Sequence, residues 1–362
     1  MDKGFLVLET GDVFEGILIG DKKAIEGELV FNTGMTGYQE MLTDPSYKGQ
    51  ILTFCYPIIG NYGINDIDDE SKEIAVSAVI ASDICDEPSH YQLTKSFSDQ
   101  LEQAGIPGLF EIDTRQLVMI IREHGSLRAK IVKDESQTKN VTWQTRSLLS
   151  LVNSVSVKQL ENYGTGEIHI AILDFGYKKS IRNALLQQGC KVTVVPYQTS
   201  LNQIKELNPD GIVLSNGPGD PMDLQAYFPV IKQLTKDYPT LGICLGHQLI
   251  ALAYGAMTKK MHFGHRGGNH PVKDLFTGKV WVTAQNHGYV VEENTIDYTQ
   301  FDVLFKNVND CSVEGLKHCH YPVTSVQFHP EAHPGPSDTN YIFEDFLDEV
   351  REKKGALTHA KA

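Results

Sequence analysis

The chain has 362 residues, 41% of them hydrophobic and 22% charged, the balance of a globular protein with room for two or three cores. Thirty-two basic against 46 acidic residues leave a net charge of −14, which argues against nucleic acid as a partner, because that binding rests on Lys and Arg neutralising phosphates. No apolar run of about 18 residues marks a membrane span, and the N-terminus lacks the apolar stretch and cleavage site of a secretory leader, so a cytoplasmic chain without a membrane partner is expected.

In chain order, residues 1–150 read as a mixed, β-rich α/β domain. "FLVLE" and "VFEGILIG" are two strands joined by a Gly-Asp turn. "QILTFCYP" and "EIAVSAVIAS" are further β-branched runs, and helices are predicted around 93–104 and 113–124. Asp113 is placed to cap the second helix, with Gln116 positioned to reach back. That helix stops at Gly125, and "RAKIV" returns to a strand. A helical patch, "RSLLSLVNSV", and a polar linker over 151–166 follow.

From residue 167 to 350 the texture becomes strand–helix alternation. "IHIAILDFG", "KVTVVPY", "GIVLSNGPGDP" and "PTLGIC" are buried-strand runs, separated by the helical stretches "KKSIRNALLQQG", "SLNQIKELN" and "YFPVIKQLTKD". That repeat predicts an open, mostly parallel sheet with helices on both faces. Residues 351–362 are expected to be a frayed tail.

The stretch "LGICLGHQLIALAYGA" places Cys244 between Gly242 and Gly246, where a strand turns at once into a helix. This is the layout of a nucleophile elbow with sulfur in place of oxygen. The helix start aims its free amides at the thiol and favours the thiolate, and the Leu245 amide would lie where an oxyanion forms. A buried cysteine filling space would have the same local sequence. The other five cysteines, Cys55, Cys85, Cys190, Cys311 and Cys319, form no C-x-x-C pair, so free thiols are expected.

A cysteine nucleophile needs a base, and the base an orienting group. In "SVQFHPEAHPGP", His329 and Glu331 follow the strand-like "VTSVQF". An extended backbone, favoured by Pro330, would project both to one side. Strand ends meet at one crevice in an open α/β sheet, so Cys244 and His329 are expected to converge. "LSNGPGDP" adds bare backbone amides after a buried strand, suited to an oxyanion or an α-carboxylate, although a plain tight turn reads the same way.

"NGPGDP", "GICLGHQ" and "HPE", in that order, resemble the triad-type glutamine amidotransferase domain over residues 167–350. "GELVFNTGMTGYQEMLTDPSYKGQILTFCYPIIGNYG" and "IDTRQLVMIIREHGSLRAKI" are similar to the small, glutamine-hydrolysing subunit family of carbamoyl phosphate synthetases. The resemblance implies that Cys244 is the nucleophile, His329 the base and then the acid, and Glu331 its orienter. It implies glutamine contacts from Ser46, Gly217, Gly219, Leu245, Gln248, Asn286, Gly288 and Tyr289. The family often carries Phe at the last position and a small polar residue where His333 stands; neither change is expected to matter.

The chain contains no G-x-x-x-x-G-K-[ST], hence no P-loop for ATP. The resemblance implies a separate large subunit that binds ATP, magnesium and bicarbonate, forms a heterodimer or a higher assembly with this chain, and receives ammonia through an internal passage. No cofactor is expected in this chain. Nor is a metal: "HFGHRGGNH" and "KHCHYP" carry His262, His265, His270, His318 and His320 at spacings that fit no standard zinc pattern, and the first stretch reads as a loop beside the active site. A packing or polar-contact role is expected of His247. A different amidotransferase, such as the glutaminase of anthranilate or GMP synthesis, would lack the first domain, and a non-catalytic subunit would not need the full Cys-His-Glu set.

Overall fold

Successive side chains of a strand point to opposite faces, and the N-terminal strands are apolar on both, so the barrel they form is lined inside and covered outside. The computed structural model describes residues 2–139, 141–143 and 149–361. The chain divides into two units, Met1–Ser147 with Met261–Gly267, and Leu148–Lys260 with Gly268–Ala362.

In the first unit the strands are β1 (Lys3–Leu8), β2 (Val13–Gly20), β3 (Ile25–Asn32), β4 (Gln50–Phe54), β5 (Ile58–Ile59), β6 (Ala78–Ile80), β7 (Asp83–Ile84), β8 (Pro107–Phe110) and β9 (Leu127–Val132). They form a closed barrel in the order β1-β2-β8-β6-β4-β3-β9, with β5 and β7 paired separately. Ile51, Ala78 and Ile80 pack in one core cluster with Leu6, Leu29 and Leu109. Their neighbours Leu52 and Val79 face a second cluster with Phe97 and Leu101. The helices are α1 (Tyr38–Thr43), α2 (Phe97–Ala104) and α3 (Thr114–His124). Asp113 does cap α3, accepting the Gln116 amide at 2.8 Å. β3 and α1 lie in a stretch that sequence patterning left unassigned.

The second unit contains α4 (Leu149–Val155), β10 (Glu161–Tyr163), β11 (His169–Asp174), α5 (Lys179–Gln187), β12 (Lys191–Pro196), α6 (Leu201–Glu206), β13 (Gly211–Leu214), α7 (Phe228–Asp237), β14 (Thr240–Ile243) and α8 (Leu245–Ala253). The chain continues with β15 (Thr258–Asp274), whose residues 261–267 are counted with the first unit, and then β16 (Val280–Val291), β17 (Phe301–Asn307), β18 (Val313–His318), β19 (Val323–Val326) and α9 (Tyr341–Lys361). Of the helical patch predicted at 146–155, residues 146–148 lie outside the described residues. The ten-stranded sheet runs β10-β12-β11-β13-β14-β19-β18-β17-β15-β16.

Its centre, β12-β11-β13-β14-β19, is parallel; β10 on one side and β18 and β17 on the other are antiparallel, so the sheet is mixed. Ala171 and Leu173 of β11 pack with residues of α7 and α8, while Ile170 and Ile172 pack with residues of α5 and α9. Helices therefore cover both faces of the parallel strands.

Two expectations change. "HFGHRGGNH" is part of the long strand β15 rather than a loop. Residues 351–361, expected to fray, continue α9, whose Phe343, Phe346, Leu347 and Val350 are anchored in the core.

Helix α8 comes unusually close to the sheet. A Cβ on Gly246 would lie 2.2 Å from the Leu214 carbonyl oxygen, and one on Gly242 would lie 2.6 Å from Ile250 Cδ1. The first obstacle is backbone at the end of a buried strand and has no room to move. Gly246→Ala is therefore expected to cost about 3 kcal/mol and to lower the melting temperature by roughly 6–12 °C for a unit of this size. Thermal unfolding that matched the unsubstituted chain would show that the helix can lift off the sheet.

Candidate active site

Four neighbouring parallel strands, β11, β13, β14 and β19, end on the same edge of the sheet, where open α/β sheets bind ligands. The chain leaving β14 is Cys244. Its amide donates to Val326 O at 2.8 Å, the bond that closes the pairing of Ile243 with Val326. Its backbone then turns sharply, with φ 54° and ψ −102°, a conformation that costs a side-chain-bearing residue on the order of 1–3 kcal/mol. The first turn of α8 holds it there: Gly246 donates to Ser215 O at 3.1 Å and Gln248 to Cys244 O at 3.2 Å. The strained corner inferred from G-x-C-x-G is thus present.

The sulfur is buried. Its thiol faces the Asn286 carbonyl at 3.7 Å, and it lies 3.6 Å from the Gln327 side-chain nitrogen, which donates to it. Beyond β13, Gly217 sits against the same corner, since a Cβ there would meet Phe175 O at 2.3 Å and Leu245 Cδ2 at 2.9 Å. Gly219 adopts φ +94°, a left-handed conformation that glycine takes without penalty.

His329 follows β19. It is anchored by its amide donating to Ala284 O at 2.9 Å, and its Nδ1 lies 2.6 Å from Glu331 Oε1. The backbone route differs from the extended one expected. Ala332 donates back to His329 O at 3.1 Å, so the chain turns at Pro330, a residue suited to the second position of a turn. The imidazole and carboxylate meet across that turn. With Nδ1–H donated to the carboxylate, Nε2 is the acceptor of the neutral ring; it is buried and has no hydrogen-bond partner among the described residues.

A buried cation completes the arrangement. Lys178, on the loop after β11, places Nζ 3.1 Å from Glu331 Oε1 and donates to Ala332 O at 2.5 Å. Burial pushes the Glu331 carboxyl up, but the Lys178 ammonium and the His329 ring pull it well below the usual carboxylate range. For His329 burial works against the proton; the Glu331 charge and the nearby Cys244 side chain outweigh it, and the ring is more basic than usual. A basic imidazole whose free nitrogen lies beside a thiol is equipped to take its proton.

Several other residues find their places. His247 is buried, bonded through Nδ1 to Ser325 Oγ at 2.9 Å, and pushed down to about 3 by burial, so it packs as a neutral ring. Gln248 directs Nε2 to Tyr289 O and to Gln327 Oε1, both at 2.9 Å. Asn286, Gly288 and Tyr289 lie on β16. Ser46 belongs to the first unit, in a short turn where Asp44 Oδ1 accepts its amide at 2.9 Å.

Two site residues, Lys178 and Gln327, carried no motif in the sequence. The only available signals were a lysine just past a buried strand in "DFGYKK" and a glutamine two residues before His329.

Residues 171–349 match the family model of class-I glutamine amidotransferases, which is the class that the sheet and the cysteine corner define. Residues 6–131 match the model of the carbamoyl-phosphate synthase small chain, CPSase domain. The chain is 49% identical over 358 residues to the arginine-specific carbamoyl phosphate synthase small chain of Halalkalibacterium halodurans, covering 99% of this chain and all of that one. It is 50% identical to its Bacillus subtilis namesake over the same shares. Against the carbamoyl phosphate synthase small chain of Listeria monocytogenes it is 46% identical over 364 residues, 99% of this chain and all of the other. The chain belongs to the carbamoyl phosphate synthase small-chain family.

The buried charges predict a pH signature. The fold favours the ionised form of Glu331, so the stability this adds is complete above about pH 4.3 and drains away as pH falls further. For His329 the fold favours the protonated ring, so its contribution is complete below about pH 6.5 and is lost as pH rises beyond that value. The melting temperature is therefore expected to drop less on acidification below about pH 4.3 in Glu331→Gln than in the unsubstituted chain. Lys178→Met, which strands the Glu331 charge, should cost about 3–5 kcal/mol near neutral pH. Superimposable acid profiles, or a Lys178→Met chain of unchanged stability, would contradict the buried charge pairing.

Proposed function

We propose that this chain is the glutamine-hydrolysing subunit of a carbamoyl phosphate synthetase. The observation that carries the reading is the buried, unpartnered Nε2 of His329, on a ring held by Glu331 and made basic by its surroundings, Cys244 among them. In the first step His329 takes the Cys244 proton and the sulfur attacks the side-chain carbonyl carbon of glutamine. The resulting oxyanion is met by backbone amides at the start of α8 and in the "NGPGDP" loop. Collapse breaks the carbon–nitrogen bond, His329 returns the proton to the leaving nitrogen, and ammonia departs from a glutamyl thioester on Cys244. Water, deprotonated by His329, then cleaves the thioester to glutamate and free thiol.

Family membership supports Ser46, Gly217, Gly219, Leu245, Gln248, Asn286, Gly288 and Tyr289 as the glutamine contacts. Phosphorylation of bicarbonate and carbamate is assigned to a large subunit carrying ATP and magnesium, since no P-loop occurs here. The two chains would form a heterodimer or a higher assembly of it, with ammonia passed across unprotonated because ammonium has no lone pair for attack. No helix among the described residues is long and apolar enough to cross a membrane, which is compatible with work in the cytoplasm.

Cys244→Ala is expected to abolish glutamine-dependent carbamoyl phosphate synthesis by the assembled complex while ammonia-dependent synthesis continues. Loss of both activities, or retention of the first, would overturn the proposal. His329→Asn should slow glutamine hydrolysis by roughly 10⁴-fold, the scale seen when one member of a nucleophile–base unit is removed; a near-normal rate would assign the base elsewhere.

A further inference from the structure

Beside the triad, a directed row of side-chain amides ends on the reactive sulfur. It starts at a main-chain carbonyl, Tyr289 O, which can only accept. Gln248 Nε2 donates to it at 2.9 Å, so the NH₂ end of the Gln248 amide must face that way. The same nitrogen donates its second hydrogen to Gln327 Oε1 at 2.9 Å. That contact turns the Gln327 amide so that its own NH₂ group faces Cys244 Sγ, to which it donates at 3.6 Å. Both glutamines are buried, and the Gln327 main chain is tied down by its amide donating to Glu314 O at 2.8 Å. Neither amide can turn over without setting a donor against a donor or a carbonyl against a carbonyl.

The end of the row is chemically specific. A neutral thiol has a proton to place, and Asn286 O at 3.7 Å accepts it. Once His329 holds that proton, the sulfur carries a negative charge with little water around it, and a buried anion without donors is costly. Gln327 then supplies a side-chain N–H aimed at the sulfur, separate from the backbone amides that serve the substrate oxyanion. Hydrogen bonds to charged groups are stronger than those between neutral ones, so this contact favours the thiolate over the thiol.

We propose that Gln327 is a further catalytic residue: its amide, held in one orientation by Gln248 and Tyr289 O, steadies the Cys244 thiolate before and during attack. Gln248 accordingly has two duties. Its nitrogen is spent on orienting Gln327, which leaves its Oε1 as the atom able to meet a substrate. This assignment deepens the glutaminase reading and rests on it for the word catalytic, although thiolate stabilisation can be measured without glutamine.

The test is the rate at which iodoacetamide alkylates Cys244 in the purified full chain at pH 7 without substrate, followed by mass spectrometry of the Cys244 peptide. Only the thiolate reacts appreciably. Gln327→Met, similar in shape but without a donor, should react about 10- to 100-fold more slowly, the range corresponding to loss of one hydrogen bond to a charged group. In the complex with the large subunit, glutamine hydrolysis by the same variant should lose kcat by a similar factor while KM stays within about twofold, because no substrate contact has been removed. A merely structural role would lower the melting temperature and leave the alkylation rate of the folded fraction unchanged.

Gln248→Met serves as the second variant, because it keeps Gln327 but releases its orientation. It too should slow alkylation, and it carries the test if Gln327→Met does not fold. Alkylation within about twofold of the unsubstituted rate in a folded variant would overturn the proposal. The glutaminase reading is judged separately by Cys244→Ala. If that variant loses glutamine-dependent synthesis while the two glutamine variants alkylate normally, only the role of Gln327 falls.

Discussion

The hydrogen bond from the Cys244 amide to Val326 O is the constraint on which the site depends. It closes the last pair of the parallel ladder between β14 and β19, Ile243 with Val326. The strand that delivers the nucleophile is thereby locked in step with the strand that delivers the base. With Ile243 held opposite Val326, the residues that follow on the second strand are Gln327, Phe328 and His329, which brings an amide donor and then an imidazole beside the sulfur. A slip of one residue would turn each of these side chains to the other face of the sheet. The strained φ of Cys244 persists because that register and the close contact of α8 with the sheet leave the backbone no alternative.

Charge is managed by burying three groups together rather than one. An isolated carboxylate in this position would take up a proton, since desolvation penalises the charged form. Lys178 keeps Glu331 ionised, and Glu331 in turn makes His329 a stronger base. The loop that carries Lys178 is itself fastened by Asp174, whose Oδ1 accepts the amides of Gly176 and Tyr177 at 2.7 and 2.8 Å and whose Oδ2 accepts that of Val157 at 2.6 Å. Burial pushes the Asp174 carboxyl up to about 6, with those three amides acting in the opposite direction. Protonating Asp174 would weaken the acceptors that hold this loop, so the environment of Glu331 reaches back to the end of β11.

Much of this was legible in the chain. The parallel core could be read from apolar runs of strand length separated by helical stretches, and Gly242, Cys244 and Gly246 identify the elbow because only glycine tolerates such close backbone contact. The antiparallel half, β15 to β18, was left unassigned; its longest strand, β15, is rich in His, Gly and Lys, residues that also populate loops. The route between His329 and Glu331 was misread for a related reason: Pro330 suits an extended chain and a turn equally well, and the choice is made by tertiary contacts. Lys178 and Gln327 escaped because a buried lysine or glutamine gains its meaning from partners about 80 to 150 residues away in sequence, which local pattern does not encode.

The central claim is that the buried charges make Cys244 a covalent nucleophile toward glutamine. Its most direct test is to mix the full chain with glutamine, quench with acid during turnover, and examine the Cys244 peptide by mass spectrometry. A glutamyl adduct on that cysteine, formed while glutamate is being released and removed by water on longer incubation, is the predicted result. Steady release of glutamate with Cys244 unmodified at every time point, and with Cys244→Ala still turning over, would contradict the account.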